Sequence, residues 1–188
     1  DNRHLYSFGS NNNLGTAGEQ AGEDFFVTCR VGRDTDSTYA THVRSSFSFA
    51  DAWKGGILNG TYPSTRWNYA KAISNSSMPV VSHENGQFQV YPDYKEINKY
   101  TGVLYPYNYE VFRRRLADNH LEKQALEFHR ATAAWSALCY KADIEICMRT
   151  PGMGGFQLLD LIDYPGQGSA LVGLMDVFWK NKGGMSED

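Results

Sequence analysis

The sequence predicts an α/β fold built on a parallel sheet with helical crossovers. Three observations predict it. Short apolar runs rich in β-formers, bounded by Gly or Pro, alternate with longer stretches whose apolar residues recur at spacings of three and four. Their order is strand, strand, helix, strand, helices, strand, helix, which suits βαβ units rather than hairpins. Acids stand at the ends of two predicted strands, where parallel sheets carry their ligand sites.

The elements follow in chain order. Leu5-Tyr6-Ser7-Phe8-Gly9-Ser10 alternates apolar and small residues before Asn11-Asn12-Asn13, and predicts a short strand entering a polar loop. Asp24 to Arg30, with Phe25, Phe26 and Val27, predicts a second, buried strand. Residues 33–62 are rich in Asp, Ser, Thr and Gly and carry no sustained period, so they read as a long loop, either functional or disordered. Pro63-Ser64-Thr65 opens a predicted helix with Ser64 or Thr65 as N-cap. Trp67, Ala70 and Ile73 form its apolar stripe, and Asn75-Ser76-Ser77 ends it. Pro79 to Glu84 is the third strand. Tyr91 to Tyr109 is an aromatic, Pro-containing connection, and Asn108 caps a helix over about 109–117. A longer helix, about 121–148, aligns Leu121, Ala125, Phe128, Thr132, Trp135 and Cys139. Gly155 to Asp163 is the fourth strand. Gly166-Gln167-Gly168-Ser169 leads into a last helix over about 170–180, closed by Gly183 and Gly184.

Composition narrows the function. With 188 residues, 41% hydrophobic and 21% charged, the chain can bury a core and reads as a single α/β domain. No apolar run reaches the roughly 20 residues a membrane helix needs. A net charge of −3 offers no basic field, which argues against nucleic acid. Of the three cysteines, Cys29 stands alone, while Cys139 and Cys147 fall in an apolar helical stretch and read as buried thiols. The His and Cys spacings match no zinc motif, so no metal is expected. The opening Asp1-Asn2-Arg3 lacks an initiator Met and reads as an excised or processed segment.

The strand ends suggest chemistry without choosing it. Glu84 emerges where an apolar strand turns polar, and a carboxylate mounted there suits nucleophilic attack at an anomeric carbon. The commoner use of such an acid is a salt bridge or loop cap. Asp160 and Asp163, spaced as Asp-x-x-Asp, are a weaker signal, since that spacing near a strand end most often caps the following turn or helix. Gly166-Gln167-Gly168-Ser169 lacks the Lys of a phosphate loop and reads better as a tight turn than as an anion site. Arg113-Arg114-Arg115 reads as a solvated helix face. Trp53, Tyr62 and Trp67 suit either stacking on sugar rings or packing of the long loop.

At Pro79-Val80-Val81-Ser82-His83-Glu84-Asn85-Gly86-Gln87 the chain resembles the nucleophile strand of family 2 glycoside hydrolases, a group that includes β-galactosidases, β-glucuronidases and β-mannosidases. Their seventh (β/α)8 strand reads as apolar residues followed by Ser-Glu-aromatic-Gly. Here His83 precedes the acid, and Asn85-Gly86 replaces the aromatic-Gly pair. Asp1-Asn2-Arg3-His4-Leu5-Tyr6 is similar to the segment entering strand five. Tyr91 to Ile97 and Lys99 to Leu104 are similar to an insertion in bacterial polysaccharide-degrading members. Gly155 to Leu161 with Asp163 to Gly168 is similar to that subgroup's eighth strand.

The resemblance implies the C-terminal half of a TIM barrel, about four parallel strands. A whole barrel needs about 250 residues. It implies a retaining hydrolase acting on O-glycosidic bonds of an oligosaccharide or polysaccharide, with no cofactor. Glu84 would be the catalytic nucleophile. His83, Gln87, Arg44, Asp160 and Asp163 would bind sugar hydroxyls or orient Glu84, and Trp67 would stack on a sugar. The acid/base would lie upstream of Asp1, so the isolated segment is expected to fold without catalysing. A polysaccharide substrate implies a periplasmic or extracellular location. The open edges of a half-barrel imply dimerisation. Two other classes fit the residues: a non-catalytic carbohydrate-binding domain, and a structural α/β domain serving a protein partner.

Overall fold

The computed structural model describes residues 2–9, 19–28, 64–70, 73–74, 76–164 and 171–185. Their contacts group into two units, Asp1–Gly86 with Lys141–Leu158 and Gln87–Tyr140 with Leu159–Asp188. The fold is α/β with a small parallel sheet.

The first unit carries that sheet. Strands β1 (Phe26–Thr28), β2 (Val80–Gly86) and β3 (Met153–Leu159) lie in the order β1-β2-β3. β1 runs parallel to β2 with Phe26 opposite Val80 and Thr28 opposite Ser82. β3 joins the other edge, where the Val80 N–H donates to Gly152 O at 3.0 Å. Phe26, Val27 and Val80 are buried, as expected for a sheet covered on its faces. The long helix α2 (Ala125–Arg149) contributes its C-terminal turns to this unit. Asp143, Ile146 and Cys147 are buried there, and Thr150 follows one turn on. Tyr69 is fully buried and pinned by its N–H to Thr150 Oγ1 at 2.9 Å.

The second unit begins at Gln87. A 3₁₀ helix (Tyr94–Lys99) starts at Asp93, whose Oδ1 accepts from the Lys95 N–H at 3.1 Å. Helix α1 (Tyr107–Asp118) follows, then a 3₁₀ turn (Glu122–Gln124) and the first turns of α2. Its core includes Phe88, Val90, Tyr109, Leu116, Tyr140, Leu171 and Val172. Phe88 meets Tyr140 edge-on with ring centroids 5.0 Å apart. The Tyr140 hydroxyl donates to Leu159 O and Val172 O, at 3.0 and 2.8 Å.

Three predicted elements do not form. Leu5 to Gly9 forms no strand among the described residues: Leu5 and Phe8 are exposed, and Glu23 and Asp24 hold the segment through the N–H groups of Phe8 and Tyr6. The described residues between 64 and 74 make turns, not a helix. Ser64 Oγ accepts from the Arg66 N–H and Asn68 Oδ1 from the Ala70 N–H, local bonds that compete with the helical ladder. Residues 171–180 form no helix either. Their backbone bonds elsewhere, Leu174 N–H to Asp160 O and Met175 N–H to Leu161 O, and Trp179 has a left-handed φ of 65°. The described sheet thus has three strands where four were expected.

Other boundaries shift. β2 runs on to Gly86, and β3 stops at Leu159, so Asp160 and Asp163 lie beyond its end. α1 starts at Tyr107 with Pro106 as its N-cap, so Asn108 lies inside the helix. The buried face of α2 is Ala133, Ser136, Cys139, Tyr140, Asp143, Ile146 and Cys147, while Trp135 is 54% exposed. Cys139 and Cys147 are buried free thiols. Cys29, Trp53, Tyr62, the loop at 33–62 and Gly166 to Ser169 lie outside the described residues.

Candidate functional site

The clearest candidate lies in the first unit, at the C-terminal end of the central strand. β2 begins with strict alternation: Val80 and Ser82 are buried, while Val81 and His83 are half-buried. Glu84 breaks the alternation with φ of 53°, a left-handed conformation uncommon for a residue with a side chain. The strand slips by one position there. His83 and Glu84 both keep partial exposure, at 21% and 28% of their side chains, and Asn85 becomes fully buried. Strain of this kind costs about 1–3 kcal/mol and persists only where the surroundings enforce it.

Two sets of contacts surround the slip. On the partly open side, His83 Nε2 lies 3.7 Å from Glu84 Oε1. His83 Nδ1 lies 2.7 Å from Gln157 Oε1 on the neighbouring strand β3. The ring tautomer decides which of the two nitrogens donates in these contacts.

On the buried side, Asp143 takes the Tyr69 hydroxyl at 2.9 Å and Asn85 Nδ2 at 3.1 Å. The Gly86 N–H donates to the same carboxyl. Asn85 Nδ2 also reaches Cys147 Sγ at 3.3 Å. Burial pushes the Asp143 carboxyl up to about 7, against the pull of its three donors. Burial, then the charge of Asp143, push the Cys147 thiol up to about 12. Cys147 is therefore an inert thiol at neutral pH.

The remaining predicted site residues are placed as follows. Trp67 is half-buried in the first unit, and its carbonyl accepts from Arg149 Nε at 2.7 Å. Gln87 is exposed, has φ of 63°, and donates its N–H to Leu159 O at 3.0 Å. Asp160 is half-buried in the second unit. Asp163 is buried there in an ion pair with Lys182 and also accepts from the Gly173 N–H at 2.9 Å. It borders a shallow recess whose walls include Tyr100, Tyr105, Tyr109 and Tyr164. Arg44 lies outside the described residues. The structure thus brings His83 and Glu84 together.

Sequence reading passes over Gln157, Tyr69 and Asp143. Asp143 carried a usable signal. It sits four residues from both Cys139 and Cys147, and an acid in the middle of a buried helical stripe requires partners.

Among the described residues no group of three or more His, Cys, Asp or Glu side chains is arranged to hold a metal. No helix among them is long and apolar enough to cross a membrane. A carboxylate at a parallel strand end, reachable by solvent and with an imidazole nitrogen 3.7 Å away, can act as a nucleophile or as a hydrogen-bond acceptor for a polyhydroxylated ligand. No protein-family model and no curated protein matches the chain.

Proposed function

We propose that the chain is part of a retaining glycoside hydrolase of the (β/α)8 type, with Glu84 as its nucleophile. The observation that carries the reading is the left-handed Glu84 at the carboxyl end of the central parallel strand, with His83 beside it. The sequence resemblance assigns the same residue.

In this reading a Glu84 oxygen attacks the anomeric carbon of an oligosaccharide or polysaccharide, and the glycosidic C–O bond breaks. The leaving oxygen takes a proton from a second carboxylic acid, about 5–5.5 Å from the first in retaining enzymes. The resemblance gives that role to no residue of this chain. Water then releases the sugar from Glu84. His83 orients the carboxylate, and Gln157 orients His83. Gln87, Arg44, Trp67, Asp160 and Asp163 remain proposed sugar contacts, and no cofactor enters. A polysaccharide substrate fits a periplasmic or extracellular setting.

The test is covalent trapping. The protein is incubated with a panel of 2-deoxy-2-fluoro glycosides of galactose, glucuronic acid and mannose carrying dinitrophenolate. That group leaves without protonation, so labelling requires the nucleophile alone. One added glycosyl mass on the peptide holding Glu84, absent in Glu84→Gln, is the expected result. Sugar binding without any label on Glu84 across the panel would replace this reading with a non-catalytic carbohydrate-binding domain.

A further inference from the structure

The buried side of the candidate site has a design that nucleophile chemistry alone does not require. Asp143 is 1% exposed, yet three donors converge on its carboxyl. Two of them, Asn85 Nδ2 and the Gly86 N–H, come from the two residues that immediately follow Glu84. The third, the Tyr69 hydroxyl, donates to Oδ1, while Asn85 Nδ2 donates to Oδ2. Asn85 is itself completely buried, and its Oδ1 has no hydrogen-bond partner among the described residues. The left-handed Glu84 is what allows Asn85 to turn inward, because regular alternation after Ser82 would bury residue 84 instead.

Resting on the assignment of Glu84 as nucleophile, we infer that Asp143 is a positioning residue. By gripping Asn85 and Gly86 it holds the slipped backbone at Glu84, and so sets the direction in which the carboxylate leaves the strand. Asp143 never touches substrate. Its influence passes through two backbone units.

The grip is linked to a proton. All three donors favour the ionised carboxyl, while burial favours the neutral one and brings its titration to about 7. The groups facing Asp143 are Tyr69, Asn85 and Gly86, with Cys147 on its own helix and Arg149 acting on Tyr69. When Asp143 takes up a proton, its O–H needs an acceptor, and Asn85 offers one. A turn of the amide exchanges Nδ2 for the unpartnered Oδ1. The residue next to Glu84 therefore has two hydrogen-bonded states, and pH chooses between them.

The experiment combines a structural and a chemical readout on the full chain. Amide NMR of the wild type should show the Asn85 side-chain NH₂ and the Gly86 N–H titrating together near pH 7. Asp143→Asn should abolish that titration and shift resonances from Glu84 to Gly86, leaving Phe26 and Val80 at the start of the sheet unmoved. The rate of covalent labelling at Glu84 should fall about 10- to 100-fold in Asp143→Asn, the usual loss when a group that orients a reacting residue is removed. Tyr69→Phe, which removes one donor and keeps the carboxylate, should give a smaller fall and serves if Asp143→Asn does not fold.

Persistence of the Asn85–Gly86 titration in Asp143→Asn overturns the inference. So do shifts spread evenly over the whole sheet, or an unchanged labelling rate. If the wild type is never labelled, the nucleophile assignment falls, and the NMR arm alone decides whether Asp143 sets the strand end.

Discussion

Replacing Lys182 by Met should destabilise the second unit far more than loss of a surface charge. Lys182 Nζ lies 2.5 Å from Asp163 Oδ1, with side-chain exposures of 6% and 2%. The amine also donates to Leu171 O at 3.2 Å. Burial raises the Asp163 carboxyl and lowers the Lys182 amine, and each partner's charge opposes the other's shift. Lys182→Met leaves Asp163 with the Gly173 N–H as its hydrogen-bond donor and with the repulsive charge of Asp176 nearby. Stranding one member of a buried pair costs about 3–5 kcal/mol. In a chain of this size that corresponds to a fall of roughly 6–20 °C in Tm. The double variant Asp163→Asn/Lys182→Met removes both charges and should recover much of the loss, with a coupling energy of about 2 kcal/mol or more. Hydrogen exchange at Gly173 and Leu174 in urea follows the second unit by itself. A loss below about 1 kcal/mol in Lys182→Met, or additive single and double variants, would refute the reasoning. Asp163 would then be available as a plain sugar ligand.

Other predictions follow from packing and titration. Gly184→Ala would drive a methyl into the Ala133 carbonyl, and Gly173→Ala would drive one into the backbone at Ile162 and Asp163. Each should cost about 1–3 kcal/mol in denaturant titration. Burial, with the charge of Asp176 next, raises the Glu96 carboxyl to about 7. The folded state therefore holds this proton more tightly than the unfolded chain. Its contribution is complete below about pH 4.5 and is lost as pH rises to 7, on the order of 3 kcal/mol. Glu96→Gln should flatten that part of the stability–pH curve, and an unchanged slope counts against it.

How much of this was legible depends on where the deciding interaction lies. β2 and the long helix were readable because an apolar run and a stripe of period 3.6 are local patterns. The helix expected after Ser64 failed for a reason also written locally. Ser64 and Asn68 bond to amides two residues ahead, which selects turns. The helix expected over 170–180 failed for a non-local reason. The N–H groups of Leu174 and Met175 are taken by the carbonyls of Asp160 and Leu161, which no window around residue 174 contains. Spacings of three and four place Trp135 on the stripe with Thr132 and Cys139. The buried face is instead offset by one residue, through Ala133 and Ser136.

The candidate site shows the same division. Glu84 was legible as the acid at the point where an apolar strand turns polar. Its left-handed backbone was not, because nothing in Ser82-His83-Glu84-Asn85-Gly86 asks for positive φ at a glutamate when a glycine stands two positions on. The conformation is settled by a comparison of burial. Regular alternation would bury the Glu84 carboxylate and expose Asn85. The slip leaves the acid partly in water and buries an amide instead, and Asp143, 58 residues away, accepts from the NH₂ of that amide. Burying an unpaired carboxylate costs far more than a strained φ of about 1–3 kcal/mol. The strained arrangement therefore wins, provided the Asp143–Asn85 bond is made. On this account the geometry at Glu84 is written jointly in the strand and in one polar residue on the buried face of α2.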